Sequence, residues 1–225
     1  MLKPRAILAA LAPIALGAPA LAQTNITSAN KYSWSENCGY MNWRDANGGT
    51  QGVRIRNTFM SGFIWMENVG WVNLGDGTPG GCGEYMNVTG DDFGVNIEAD
   101  GSLTGLAWGE NVGWINFAGG AMATPPQPAR LDRAARRLRG YAWGENIGWI
   151  NLDHADIFVG TTFCRADWNE DGTVNSTDIS AFLTTWLASV NASDCTADFD
   201  ASGTTNSTDI SAFLTAWLAG VNGSC

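Results

Sequence analysis

The chain is poor in the groups on which most enzymes and nucleic-acid-binding proteins depend. Its 225 residues include one histidine and 12 Lys or Arg against 22 Asp or Glu, a formal net charge of −10. This acidic balance argues against nucleic acid as a partner. No run of eighteen consecutive apolar residues occurs beyond residue 22, so the sequence predicts no membrane span.

Candidate catalytic groups are equally scarce. The single histidine, His154, has no serine or cysteine motif around it. Glycoside hydrolysis needs two carboxyl groups in a cleft, one of them with a raised pKa. The sequence shows no distinctive acid pair, and its four repeated glutamates fall at expected turns: Glu36, Glu67, Glu110 and Glu145. We therefore predict that the protein is not an enzyme.

The first 22 residues have the pattern of a secretory signal peptide. Lys3 and Arg5 form a basic end, residues 6–18 an apolar run, and residues 20–22 a small-residue cleavage site. We expect an exported, extracellular protein that begins near Gln23.

A nine-residue motif, Trp-x-Glu-Asn-x-Gly-(Trp/Tyr)-x-Asn, occurs four times, over residues 34–42, 65–73, 108–116 and 143–151. Asn and Gly tolerate the positive φ of a tight turn, and aromatic or β-branched residues flank them, so each copy predicts a β-hairpin. The spacing of six places the two aromatic residues opposite each other across the hairpin. Such a cross-strand pair stabilises a sheet by roughly 0.2–1 kcal/mol.

A further strand is predicted before each of the last three hairpins, at residues 53–56, 95–98 and 130–133. Each repeat is then a three-stranded antiparallel meander of about 35 residues. The predicted fold class is a multidomain protein. An all-β antiparallel repeat domain, sandwich- or barrel-like, covers residues 23–152, and a linker at 153–163 leads to a small α-helical domain.

The hairpins are apolar on both faces, so alternation alone does not say which face is inside. One interpretation makes the tryptophans the core. The other leaves them exposed, where rings beside amides bind a polysaccharide or another ligand. The candidate glycan-binding residues are Trp65, Trp71, Trp108, Trp114, Trp143 and Trp149.

Two twelve-residue segments near the C-terminus, 167–178 and 198–209, have the ligand spacing of an EF-hand calcium loop. Such a loop binds through oxygens at positions 1, 3, 5, 7 and 12, often with water at position 9, and has Gly at position 6. The first set is Asp167, Asn169, Asp171, the Thr173 carbonyl and Asp178, and the second is Asp198, Asp200, Ser202, the Thr204 carbonyl and Asp209. Position 9 is Asn175 or Asn206. We predict two Ca²⁺ ions, with weaker binding at the second loop because Ser202 replaces a carboxylate.

A helix is expected after each loop, because apolar residues recur at helical spacing from Ile179 to Leu187 and from Ile210 to Leu218. Ser176 or Thr177 is the predicted N-cap of the first helix, and Ser207 or Thr208 that of the second. No helical pattern precedes either loop.

These paired loop–helix units, with Asp at position 12 and Asn-Ser-Thr-Asp closing each loop, resemble type I dockerin domains. The resemblance covers residues 164–225. The cysteines ahead of each loop and at the C-terminus resemble those of the cysteine-bearing variant called GC-type. It implies two structural Ca²⁺ ions and a surface for a cohesin-like partner at Ser176, Thr177, Ser207 and Thr208. The alternative is that the metal only holds a small domain together. The tryptophan motif resembles Trp-rich repeats of bacterial exported proteins.

Five cysteines in an exported chain suggest disulfides with one thiol left over. Cys38 and Cys82 are the only two in the N-terminal part, which predicts that they pair. The ends of a dockerin-like module usually lie close together, so the resemblance favours Cys164 with Cys225 and leaves Cys195 unpaired. Together these features predict a non-catalytic exported protein tethered through calcium-dependent cohesin binding. The alternative is a carbohydrate-binding module on a dockerin, serving polysaccharide degradation.

Overall fold

The computed structural model describes residues 24–80 and 82–225, so the predicted signal peptide lies outside the described residues. Among the helices in these ranges, none has the length and apolarity needed to cross a bilayer.

Within the described residues, thirteen strands precede two long helices. The N-terminal elements are β1 Ile26–Ser35, β2 Gly39–Asn42, the short helix α1 Ala46–Gly49, β3 Val53–Ile55, β4 Phe59–Met66, β5 Gly70–Asn73 and β6 Val95–Ile97. The central elements are β7 Leu103–Gly109, β8 Gly113–Asn116, a 3₁₀ helix Phe117–Met122, β9 Arg130–Asp132, β10 Arg137–Arg139, β11 Tyr141–Gly144, β12 Gly148–Asn151 and β13 Val159–Thr161. The C-terminal helices are α2 Ser176–Ala192 and α3 Ser207–Val221.

The four motif hairpins close into an eight-stranded antiparallel barrel. Neighbouring strands pair in the order β1, β2, β4, β5, β7, β8, β11 and β12, and β12 returns to β1 with Trp34 opposite Asn151. The aromatic pairs lie directly opposite each other in register, as with Trp65 and Trp71. Of the two predicted architectures, sandwich or barrel, the structure is a barrel, which leaves no open edge on this ring of strands.

Aliphatic side chains fill the barrel. Ile64, Val72 and Ile115 are at most 1% exposed, and Met41, Met66, Ala107, Ala142 and Ile150 join them in one buried cluster. Because side chains alternate across a strand, the residues between these inward positions point outward, and they include the motif tryptophans. The interior of an eight-stranded barrel is just wide enough for side chains of this size to fill it.

A ring of asparagine side chains joins the four turns. The amide of Asn68 donates to the Cys38 carbonyl at 3.3 Å, and that of Asn111 donates to the Val69 carbonyl at 2.8 Å. Asn146 continues the ring to Val112, and Asn37 closes it on Ile147 at 3.0 Å. The positive φ of each turn belongs to the glycine, Gly39, Gly70, Gly113 or Gly148, so these asparagines serve to link hairpins.

Cys38 lies at the end of the barrel, at the motif position that Val69, Val112 and Ile147 occupy in the other repeats, and it is 2% exposed. It is a free thiol whose pKa is raised by burial. Its role is therefore that of a small apolar core residue.

Replacing Cys38 with Val is expected to keep the unfolding free energy within about 1 kcal/mol of the wild-type value, because valine fills the same position in two other repeats. Cys38→Asp is the contrasting variant. A carboxylate there has no cation to pair with and should lower the thermal midpoint strongly. Thermal unfolding followed by circular dichroism measures both, and a Val variant as unstable as the Asp variant would refute the assignment.

The predicted additional strands are present. Strand β3 pairs with β4, and β6 pairs with β7. Strand β9 pairs with β10, where Leu131 lies opposite Leu138. The segment predicted as a linker, residues 153–163, contains the strand β13. Val159 and Thr161 of β13 pair with β1, and Gly160 pairs with Arg137 of β10. The β-structure therefore extends to residue 161.

The C-terminal module has its own small core. Phe182 of α2 stacks on Phe213 of α3 with ring centroids 4.2 Å apart, and Phe199 packs edge-on against both. Ala197 completes the buried cluster, and Trp168 packs beside it. So small a core leaves the module dependent on further stabilising features such as disulfides or metal.

Candidate metal loops and partner surface

Each predicted calcium loop leads directly into a helix, and its last aspartate is part of the helix cap. The N-caps are Asn175 and Asn206, whose side chains accept from the backbone N–H of Thr177 and Thr208 at 2.8 Å. The prediction of Ser or Thr as the N-cap is thus wrong by one or two residues. An Asx side chain caps as well as a hydroxyl, and here the aspartate three residues on completes a capping box.

In the second loop three predicted ligands converge. Carboxylate oxygens of Asp198, Asp200 and Asp209 lie within 4.8 Å of one another. Asp209 is fully buried and accepts from the backbone N–H groups of Phe199, Asp200 and Asn206 at 2.7, 3.0 and 2.8 Å. A set of converging carboxylate oxygens matches the donors that a hard cation such as Ca²⁺ takes.

The first loop has the same backbone scaffold. Asp167 accepts from the N–H groups of Asp171 and Gly172 at 3.1 and 2.9 Å. Asp178, also fully buried, accepts from Asn169 and Asn175 at 3.1 and 2.9 Å. In the described ranges, its three carboxylates do not form a cluster as tight as that of the second loop. The loop assigned weaker binding from sequence therefore has the closer carboxylates, and the order of affinity stays a prediction.

The electrostatics of the first aspartate in each loop favour a bound cation. Burial raises the pKa of Asp167, and the carboxylates of Asp178 and Asp171 act in the same direction. Burial likewise raises the pKa of Asp198, with a further contribution from Asp209. A raised carboxyl pKa means that the ionised form is disfavoured, and a divalent ion at the loop would favour it.

The predicted partner surface is exposed in both copies. Ser176, Thr177, Ser207 and Thr208 are all exposed at the starts of α2 and α3. Leucines at equivalent positions continue each surface along its helix: Leu187 and Leu218 are each 57% exposed, and Leu183 and Leu214 are also exposed. The structure thus places two similar surfaces, each combining hydroxyls with an apolar stripe, on the module.

Residues of the module other than the predicted partner residues contact the N-terminal domain. Glu170 in the first loop forms ion pairs with Arg54 and Arg56 of the barrel. Arg165 donates to the Asn57 side chain at 2.6 Å and to the Phe199 carbonyl. These contacts hold the module through its loops and leave the predicted partner residues accessible.

The disulfides differ from the sequence prediction in one pair. Cys164 is bonded to Cys225, the pair favoured by the resemblance. The predicted Cys38–Cys82 bond is wrong, because Cys82 is bonded to Cys195 and Cys38 is buried in the barrel. Cys195, expected to be unpaired, therefore joins the module to the barrel. Counting cysteines within each domain could not reveal a bond that crosses between them.

The candidate glycan-binding tryptophans lie on the outside of the barrel. Trp71, Trp108 and Trp149 are each 36% exposed, while their partners Trp65, Trp114 and Trp143 are half-buried against them, with ring centroids 4.7 Å apart. The interpretation that these tryptophans form the core is thus wrong. The fully buried indole is Trp43, whose Nε1 donates to Ser33 at 2.8 Å.

Comparison with known proteins assigns the C-terminal part alone. The model of the dockerin type I domain matches residues 165–213, a span that contains both predicted loops. No curated protein and no solved structure matches the chain. Domains of the matched family bind calcium and serve as non-catalytic, cohesin-binding modules of extracellular assemblies. Residues 165–213 therefore match the type I dockerin family, and they follow a barrel of aromatic hairpins.

Proposed function

We propose that this protein is exported and non-catalytic, and that its dockerin domain, with two bound Ca²⁺ ions, anchors the barrel to a cohesin-like partner in an extracellular assembly. The ions would be held by the loop residues predicted above. The observation that carries the proposal is the duplication of one exposed surface, Ser-Thr followed by leucines, on α2 and α3. A metal that only stabilised the module would require no such duplicated surface.

Contacts between the loops and the helix starts support a dependence of partner binding on calcium. The Thr208 hydroxyl donates to the Asp200 carboxylate at 2.6 Å, and the Asn169 amide donates to the Thr177 hydroxyl at 3.0 Å. Each predicted partner-binding threonine is thus bonded to a predicted calcium ligand. Removing the metal is expected to disturb the partner surface together with the loop.

The test is binding of the full chain to an immobilised panel of type I cohesin modules, in calcium and in EGTA. Ser176→Asp and Ser207→Asp each introduce a charge on one surface. An acidic residue in the first turn is compatible with the helix dipole, so the fold should be retained. Because either surface suffices, each single variant should weaken binding only about twofold.

The double variant should bind the cohesin about 100-fold more weakly or worse, since an unpaired charge buried in an interface costs about 2–5 kcal/mol. Ser224→Asp, an exposed serine away from the helix starts, is the matched control. A double variant that binds as tightly as wild type would remove these surfaces from the proposal. Absence of binding to every cohesin in the panel would count against the anchoring function itself.

Glycan binding by the barrel is the second candidate function, with a role in polysaccharide degradation. The half-exposed outer face of the tryptophan pairs favours it, because indole rings supply flat apolar surface and a polar N–H at the same place. The two functions are compatible, since the anchoring surface and the aromatic face lie on different domains.

A further inference from the structure

A cleft of about 550 Å³ lies where the barrel closes, between the fourth hairpin and the first. Trp34 of β1 and Trp149 of β12 line it together with Tyr141 of β11. The segment 122–127, which follows the 3₁₀ helix, forms one wall. We call this site the seam cleft. Its volume lies in the range of small-molecule sites.

The wall of the seam cleft is fixed by close backbone packing. Gln127 N–H donates to the Gly120 carbonyl at 3.0 Å, and Tyr141 N–H donates to the Gln127 carbonyl at 2.9 Å. A Cβ atom at Gly120 would lie 2.3 Å from both the Gln127 and the Tyr141 carbonyl oxygens, so only glycine permits this approach. The cleft is therefore formed before any ligand binds.

Polar groups lie beside the three rings. The side chains of Glu36 and Gln127 line the cleft and are exposed, and neither makes a side-chain hydrogen bond within residues 24–80 and 82–225. Asn151 uses its Oδ1 to accept from Asp153 N–H at 2.8 Å, and within the described residues its amide N–H₂ makes no hydrogen bond. The site thus offers a carboxylate acceptor and two amides next to flat apolar surface.

We propose that the seam cleft binds a neutral polysaccharide whose pyranose rings carry equatorial hydroxyl groups. Such a ring has an apolar C–H face that stacks on indole or phenol rings and a rim of hydroxyls that both donate and accept. Glu36, Gln127 and Asn151 would bind the hydroxyls. The carboxylate of Glu36, which lines the cleft, disfavours acidic sugars. This inference rests on the second proposed function and assigns its site.

Two tryptophans provide a matched comparison. Trp149 and Trp71 hold the same motif position, are equally exposed at 36%, and pair with a second tryptophan at the same 4.7 Å. Trp149 lines the seam cleft and Trp71 does not. Substituting each by alanine therefore removes the same contact within a hairpin but affects the cleft in one variant alone.

The experiment is isothermal titration of the full chain, in calcium, with cellohexaose and xylohexaose. Trp149→Ala should weaken binding about tenfold or more through loss of ring stacking. Trp71→Ala should weaken binding far less than Trp149→Ala, because Trp71 does not line the cleft. The Gln127 side chain makes no hydrogen bond in the fold, so Gln127→Ala should weaken glycan binding severalfold without destabilising the protein. This variant keeps the test valid if Trp149→Ala lowers the thermal midpoint.

The outcomes separate the site from the function. An equal loss of glycan affinity in Trp149→Ala and Trp71→Ala would overturn the assignment of the site to the seam cleft. Glycan binding by the outer face of the barrel would remain. Failure to bind either hexasaccharide, or tighter binding of polygalacturonate than of both, would overturn the inference. None of these results bears on cohesin binding, which is measured on the other domain.

Discussion

Asp209→Ala is expected to leave the dockerin domain unfolded at every calcium concentration while the barrel stays folded. The Asp209 carboxylate is fully buried and accepts three backbone N–H groups. A buried donor left without a partner costs about 1–3 kcal/mol, and loss of a cap costs about 1 kcal/mol more. The small core around Phe182, Phe199 and Phe213 cannot offset losses of that size.

Hydrogen exchange measured peptide by peptide tests this expectation, because it reports on each domain separately. In the wild-type chain, peptides from residues 165–225 should be protected in calcium and lose protection in EGTA, with the barrel unaffected. In Asp209→Ala the same peptides should exchange freely even in excess calcium. Protection of these peptides in the variant would refute the structural role of this carboxylate.

Asp200→Ala is the matched control, since it removes another predicted ligand from the same loop. Asp200 is only half-buried, and it accepts from the Thr208 hydroxyl and from Ser202 N–H. Its loss should raise the calcium concentration needed for protection, and excess calcium should restore the fold. If excess calcium restores Asp200→Ala but not Asp209→Ala, Asp200 acts as a metal ligand alone, whereas Asp209 also holds the backbone of the loop.

The hairpins and the loop–helix units were predictable because their signals are local. The spacing of six between Trp65 and Trp71 fixes a cross-strand pair, and the strands predicted around residues 53–56 and 95–98 follow from the repeat. Which face points inward was not predictable, because Ile64 and Trp65 are both apolar and alternate. Barrel closure decides it, since the eight-stranded interior is filled by aliphatic side chains and leaves the indoles outside.

The missed strand and the missed disulfide both depend on long-range contacts. Residues 157–163 are rich in β-branched and aromatic residues, but no local signal identifies β1 and β10 as the partners of Val159–Thr161. The alignment of the repeats did contain one usable signal. It places Cys38 at the position of Val69, Val112 and Ile147, which identifies a core residue and argues against a disulfide there.

Removing the Cys82–Cys195 bond is expected to separate the unfolding of the barrel from that of the dockerin domain. The bond closes a loop of 113 residues, for which chain entropy predicts a contribution of about 4–5 kcal/mol. In Cys82→Ser/Cys195→Ser, the ion pairs of Arg54 and Arg56 with Glu170 would still connect the domains, but pairs of this partly exposed kind contribute little. Calorimetry in calcium should therefore show the transition of the dockerin domain at a lower temperature, further from that of the barrel, than in the intact chain.

Cys164→Ser/Cys225→Ser is the control, because its bond closes 61 residues, almost all within the module. The loop entropies of the two bonds differ by only about 0.5 kcal/mol, so the two variants should lose similar amounts of stability. The two variants should differ in how their domains are arranged. Small-angle scattering should detect a wider range of domain arrangements when Cys82–Cys195 is removed and an unchanged arrangement when Cys164–Cys225 is removed. An unchanged scattering profile for Cys82→Ser/Cys195→Ser would mean that the contacts of Arg165 and Glu170 hold the domains together without the covalent bond.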